Sequence, residues 1–211
     1  MARYTASRTK LSRRVGRNLF LKGSRSFSPK DDFTKRPFKA PKKKGKRVNP
    51  TSSEYSKQLL EKQALKFTYG LLEKQLTNLF KKAFKKKGDT GSIALSLLER
   101  RLDSVIYRSG LANSRSQARQ LVNHGHFLVN GKKANIPSIT LEAGDLIKLK
   151  ENKSKKTFWQ SFTLEIPNDV PVWLQKKNDF EIKVVNSPLE DDLPKEFNIS
   201  SIVEYYSNKV A

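Results

Sequence analysis

SRSQARQLVNHGHFLVNGKKANIP, Ser114 to Pro137, sets a helix start, a helix stop and a two-residue hairpin turn within 24 residues. Ser114 and Gln117 stand at capping-box spacing, Ala118, Leu121 and Val122 make a short apolar face, and Gly125 supplies the stop. Asn130-Gly131 is the strongest short hairpin signal in the chain, flanked by Phe127–Val129 and Lys132–Ile136. Leu146–Lys150, after the Gly144-Asp145 turn, reads as a further strand. Residues 92–152 are therefore expected to form helices followed by a small antiparallel sheet.

Upstream, a helix starting near Ser92 would carry Leu95, Leu98, Leu102, Val105 and Ile106 on one face and leave Arg100, Arg101 and Arg108 on the others. Before it, Thr51 and Glu54 form another capping-box spacing, and Leu59, Phe67, Leu71, Leu79, Phe80, Ala83 and Phe84 predict helices over 53–87, broken or closely approached at Gly70. Downstream, Phe158–Ile166 and Phe180–Val185 read as strands with PVWL between them. Ile199–Ser207 reads as a short last helix with Ile202, Val203 and Tyr206 inward. The fold class is α+β: a basic extended N-terminal arm over 1–50, a helical domain over 51–91 joined by the helix at 199–207, and a helix-and-sheet domain over 92–198 with its core motif at 99–152.

The chain has 211 residues, 43 Lys/Arg against 20 Asp/Glu, and a net charge of +23. At that charge self-repulsion is a cost to the isolated protein, and a polyanion, nucleic acid above all, offsets it. The charge is uneven: residues 1–50 hold 17 basic against 2 acidic residues, 51–164 hold 21 against 9, and 165–211 hold 5 against 9. Residues 1–50 have few apolar side chains beyond Leu19–Leu21 and cannot form a core of their own. They read as an arm that adds solubility or, more specifically, orders on RNA; an Arg- and Ser-rich transit peptide would need an amphipathic period that is not visible.

Without cysteine there are no disulfides, thiolate zinc sites or cysteine nucleophiles, and no run approaches the ~20 apolar residues of a membrane span. His124 and His126 have no third ligand nearby, so a turn-stabilising or phosphate-contacting role fits better than zinc. No P-loop, dinucleotide fingerprint or nucleophile elbow is present, and no enzyme is expected. Arg115 and Arg119 lie one turn apart at a helix N-terminus, where N–H groups and dipole also favour phosphate. Lys132 and Lys133 would add point charges if the hairpin packs beside that helix. Helix and hairpin together read as a clamp for RNA backbone, against the plainer alternative of solvated residues around a small core.

Residues 99–138, with RRLD, YR, SRxQARQLVxHGHxxVNG and NIPS in register, resemble the RNA-binding domain named after the fourth protein of the small ribosomal subunit. The flanks resemble the same ribosomal family: ARYT and KLSRR at the start, Tyr69, Gly70, Glu73 and Gln75, GDTG at 88–91, and WL and IVEYYS near the end. The likeness covers nearly all of the chain except about residues 24–50. It implies a structural constituent of the small subunit that binds small-subunit ribosomal RNA early in assembly. It also implies a contribution to translational accuracy, and contacts with the third and fifth small-subunit proteins and with messenger RNA near the channel by which it enters. The location implied is the small ribosomal subunit, in bacterial cytoplasm or an organelle interior.

The RNA-binding residues implied are Arg3, Lys10, Arg13, Arg14 and Lys22 in the basic start. In the clamp they are Arg100, Arg101, Arg108, Ser114, Arg115, Gln117, Arg119, Gln120, His124, His126, Asn130, Lys132 and Lys133, and Asp103 is expected to pair locally with arginine. Lys42, Lys43, Lys44, Lys46 and Arg47 stand near the family's messenger-channel positions without matching them one by one. The four zinc-binding cysteines of many family members are missing, so no metal and no cofactor is expected. The same domain occurs on pseudouridine synthases, a tyrosyl-transfer-RNA synthetase and a ribosome rescue factor. The 59 residues after Asn152 are too few for a catalytic domain, which leaves a free RNA-binding factor, or an accessory of an RNA-modifying enzyme, as the alternatives.

Overall fold

The computed structural model describes Tyr4 and residues 7–36, 53–161 and 170–210. Ten α-helices and a five-stranded antiparallel sheet fall into two compact units among these residues, 1–94 with 194–211 and 95–193.

In the first unit, α1 (Thr9–Val15), a 3-10 turn (Gly23–Phe27) and α2 (Asp32–Lys35) form where an extended arm is expected. The correction has a simple cause: Leu11 and Leu19 are buried, and α1 packs on α3 (Glu54–Thr68), so the segment borrows a core that it could not build alone. Ser53 caps α3, its Oγ accepting from Ser56 N–H at 3.3 Å; Thr51, expected at this cap, lies outside the described residues. The break expected at Gly70 is present, with φ +61 ending the helical run before α4 (Glu73–Phe84). α10 (Ile199–Val210) returns to α3 and α4, stacking Tyr206 on Phe80 at 4.5 Å between ring centroids. Ile202 and Tyr206 are buried as expected, together with Tyr205, whereas Val203 is only half-buried.

Glu73 ties these helices together. Its Oε1 accepts from Lys62 Nζ at 2.8 Å and from the Tyr206 hydroxyl at 3.2 Å, and its Oε2 accepts from Lys66 Nζ at 2.9 Å. Partial burial works against the charged form, but the two lysines win and lower the carboxyl to about 2, while burial and Glu73 together raise the Tyr206 phenol far above its usual range.

The predicted helix from Ser92 through Ile106 is two helices, α5 (Thr90–Glu99) and α6 (Leu102–Arg108). Asp89 caps the first, its Oδ2 accepting from Ser92 N–H at 2.6 Å. The interruption at Arg100–Arg101 is tertiary. Arg101 bridges Thr140, Leu102 N–H donates to Ile139 O at 2.9 Å, and Leu141 N–H donates to Arg100 O at 2.9 Å. Arg101, a good helix former, is thereby drawn into an extended link by the loop that follows the hairpin, while Arg100 N–H still donates to Ser96 O at 2.9 Å. The apolar positions Leu95, Leu98, Leu102, Val105 and Ile106 are nevertheless all buried.

α7 (Arg115–Asn123) starts at Ser114, whose Oγ accepts from Gln117 N–H at 3.2 Å, and Gln117 Oε1 accepts from Asn113 N–H at 2.7 Å. Strands β1 (Phe127–Val129) and β2 (Lys132–Ala134) meet at Asn130 and Gly131, with φ +49 and +77, as the mirror-image hairpin turn requires. β2 ends two residues earlier than expected, because Pro137 O and Ile139 O turn aside to accept from Asp103 and Leu102.

The sheet order is β2-β1-β3-β5-β4, with β3 Leu146–Leu149, β4 Leu174–Asn178 and β5 Glu181–Val184. β4 begins at Leu174, the last residue of the PVWL stretch expected to connect two strands. The strand predicted from Phe158 is corrected: α8 (Glu151–Ser154) and α9 (Thr157–Gln160) stand there, and 162–166 lie outside the described residues. Trp159 explains the turn of helix. It is buried edge-on against Phe127 and Phe180 and donates its indole N–H to His126 Nδ1 at 2.8 Å.

Candidate nucleic-acid interface

The five clamp arginines are engaged within their own unit. Glu99, 1% exposed, accepts from Arg108 through both oxygens at 2.9 Å and from Arg115 at 3.2 Å, and the Arg115 guanidinium also lies 4.6 Å from the centre of the Tyr107 ring. Asp103 receives a two-pronged bond from Arg101 at 2.8 and 3.0 Å and faces Arg119 at 3.7 Å. Arg100 donates to Leu141 O at 2.7 Å and faces Glu142 at 3.7 Å. Each buried carboxylate thus serves two arginines, which makes this cluster a rigid, net-positive frame for α5, α6 and α7 rather than a set of outward forks. The local partner expected for Asp103 is found.

Other carried-over residues also hold the frame. Ser114 and Gln117 cap α7. Asn130 donates to Asp145 Oδ1 at 2.7 Å and accepts from Leu146 N–H at 2.9 Å, pinning the hairpin to β3. His126 is buried, and burial first, then Lys153, Lys156 and His124, lowers its pKa, so it stays neutral and accepts from Trp159. Gln120, His124, Lys132 and Lys133 stand exposed. In the first unit Lys10 and Arg14 are exposed and Arg13 and Lys22 half-buried; Arg3, Lys42, Lys43, Lys44, Lys46 and Arg47 lie outside the described residues.

The sheet register reveals a second set. Phe127, Ile147, Ile182, Val184 and Leu174 share the core face. On the opposite face Leu128 is paired with Lys133 and with Lys148, and Lys183 with Leu146 and with Gln175. Lys133, Lys148 and Lys183 therefore project from one side of the sheet. Lys150 follows at the end of β3, and its N–H donates to His126 O at 2.8 Å.

Lys133 also reaches back across Gly125, where an added Cβ would lie 2.9 Å from its Cε. Lys156 most strongly, then desolvation, then Lys150 and Lys133, lowers the pKa of Lys153, the direction that like charges impose. Lys148, Lys150, Lys153 and Lys156 are not among the residues expected from the motif, yet two signals in the sequence point to them: the alternation in Leu146–Lys150 puts Lys148 and Lys150 opposite Ile147 and Leu149, and ENKSKK spaces Lys153 and Lys156 three apart. A lysine-lined face with one accessible imidazole beside it matches a phosphate backbone in charge and asks for no base identity. Among the described residues no group of three or more His, Asp or Glu could hold a metal ion, and no helix is long and apolar enough to cross a membrane.

Residues 3–99 match the family described as ribosomal protein S4/S9 N-terminal domain, and residues 100–147 match the S4 domain. The small ribosomal subunit protein uS4 of Syntrophus aciditrophicus is 44% identical over 209 residues, covering 98% of this chain and 100% of that protein. This chain belongs to the uS4 family. The uS4 proteins of Clostridium tetani, at 45% over 208 residues, and Borrelia hermsii, at 42% over 213, are likewise covered in full and span 98% and 99% of this chain. The boundary between the two matched uS4 regions falls at Glu99–Arg100, where α5 ends and the extended link begins.

Proposed function

We propose that the chain is a structural, non-enzymatic component of the small ribosomal subunit that binds small-subunit ribosomal RNA. The lysine face carries the reading: Lys133, Lys148, Lys150, Lys153, Lys156 and Lys183, with His124 and Gln120 at its edge, meet the phosphate backbone. The arginine–carboxylate frame fixes α5, α6 and α7 relative to one another. Lys10, Arg13, Arg14 and Lys22 contact RNA backbone from the first unit. The finer reading is that the chain binds early in assembly, touches the third and fifth small-subunit proteins, and lends Lys42, Lys43, Lys44, Lys46 and Arg47 to the channel by which messenger RNA enters, within bacterial cytoplasm or an organelle.

Sedimentation tests the first statement: the protein is expected to stay with small subunits through a high-salt wash, and its recovery only at the top of the gradient would select a free RNA-binding factor. Order-of-addition reconstitution, with crosslinking to the third and fifth proteins and to messenger RNA, tests the finer one.

A further inference from the structure

Two aromatic rings of the first unit stand in solvent where burial would be expected. Phe20 and Phe27 stack at 4.8 Å between centroids and 22° between planes, yet they remain 45% and 61% exposed. Phe20 also adopts φ +47, a region disfavoured for any side chain with a Cβ.

The loop between them is built to hold this arrangement. The Asn18 side chain accepts from Phe20 N–H at 3.0 Å and donates to Ser26 O at 3.2 Å, and Ser26 Oγ accepts from Lys22 N–H at 3.1 Å. Strain accepted in order to display a ring, rather than bury it, points to a contact outside the chain. The surrounding charge identifies its chemistry: residues 1–36 contain eleven Lys/Arg against two Asp, of which Asp31 is buried. Arg14, Arg25 and Lys30 are exposed.

We propose that the Phe20–Phe27 pair is a stacking platform for an unpaired nucleobase of RNA, with the neighbouring cations on the flanking phosphates. An apolar protein surface would have no use for so acid-poor a border, whereas a single-stranded nucleotide uses both parts: every base has a face that stacks on an aromatic ring, and every linkage carries a negative charge. The proposal rests on the RNA-binding reading above.

The test compares the full-length protein and three variants, Phe27→Leu, Phe27→Ala and Phe27→Trp, on a short uridine oligomer and on an abasic ribose-phosphate oligomer of equal length. Wild-type affinity for small-subunit ribosomal RNA, measured alongside, reports on the parent reading separately. Leu and Ala are expected to weaken binding to the uridine oligomer about tenfold, the equivalent of ~1.4 kcal/mol, and to leave the abasic oligomer unaffected. Trp is expected to retain the preference for bases. If Leu keeps the wild-type preference, the base does not depend on an aromatic ring at this position and the platform is refuted; equal losses on both oligomers refute it as well.

Discussion

Arg108 grips Glu99 with two parallel hydrogen bonds of 2.9 Å, joining the last turn of α6 to the end of α5, across the extended link at Arg100–Arg101. The pair spans that link and holds the two helices in a fixed relation, while the N–H groups freed there donate to Ile139 O and Pro137 O. Glu99→Gln is expected to destabilise the 95–193 unit by ~3 kcal/mol, because breaking a buried pair leaves guanidinium charge uncompensated. Urea denaturation followed by circular dichroism measures it, and a loss below about 1 kcal/mol would show that the pair is incidental.

Arg115→Ala with Arg119→Ala should lower stability as well as RNA affinity, since both guanidinium groups face buried carboxylates. The thermal midpoint decides: weaker RNA binding at an unchanged midpoint would restore these arginines to the role of pure phosphate donors.

Removing lysines from the open sheet face should act in the opposite way. Lys133→Ala with Lys148→Ala is expected to leave the midpoint within a degree or so and to flatten the log–log salt dependence of RNA binding by about 2, near one for each phosphate no longer neutralised. Binding across a potassium chloride series reads the slope.

His126 makes the second unit sensitive to mild acid. Its folded pKa lies below the unfolded value, so the unfolded chain binds the extra proton, and stability contributed by the neutral ring falls as pH drops through about 6.5 toward the folded value. Protonation of Nδ1 also removes the acceptor for Trp159. Stability should decline between pH 7 and 5 with a change in tryptophan emission, and His126→Phe should abolish the pH step while costing ~1–3 kcal/mol for an unpaired indole N–H.

Glu73 gives the first unit a separate and more acidic limit. A carboxyl lowered to about 2 favours folding fully above its unfolded pKa, near 4.5, and loses that contribution as pH falls toward 2. Hydrogen exchange in α10 should therefore accelerate below pH 4.5, and Glu73→Gln should bring the same acceleration to neutral pH.

What could be read from the sequence was whatever local chemistry decides. Ser114, Gly125 and Asn130-Gly131 form the cap, stop and turn that their residue types require, and the alternation of Leu146–Lys150 yields a strand with a buried side. The break at Arg100–Arg101 is invisible in the sequence because both residues favour helix and the competing hydrogen bonds come from Ile139 and Thr140, far along the chain. Trp159 likewise reads as part of a β-rich run until His126 is placed beside it. For the interface, counting charges located the basic region but not which cations face outward. Arginines beside Glu99 and Asp103 turned inward, and lysines on a strand with no acid opposite most of them stayed out. Pairing depends on which carboxylates are buried nearby, a property of the fold and not of the motif.

The first unit is discontinuous, formed by residues up to 94 and by 194–211, with the second unit written between them. During synthesis the polypeptide leaves the ribosome from its N-terminus, so the intervening unit has all its residues before α10 exists. Until then α3 and α4 wait with the seat of Tyr206 uncovered on Phe80 and the Glu73 carboxylate lacking its phenol donor. The order of manufacture thus delays one half of the molecule, and a nascent chain halted before residue 194 would carry every strand of the sheet but an unfinished helical bundle, a surface for chaperones to cover.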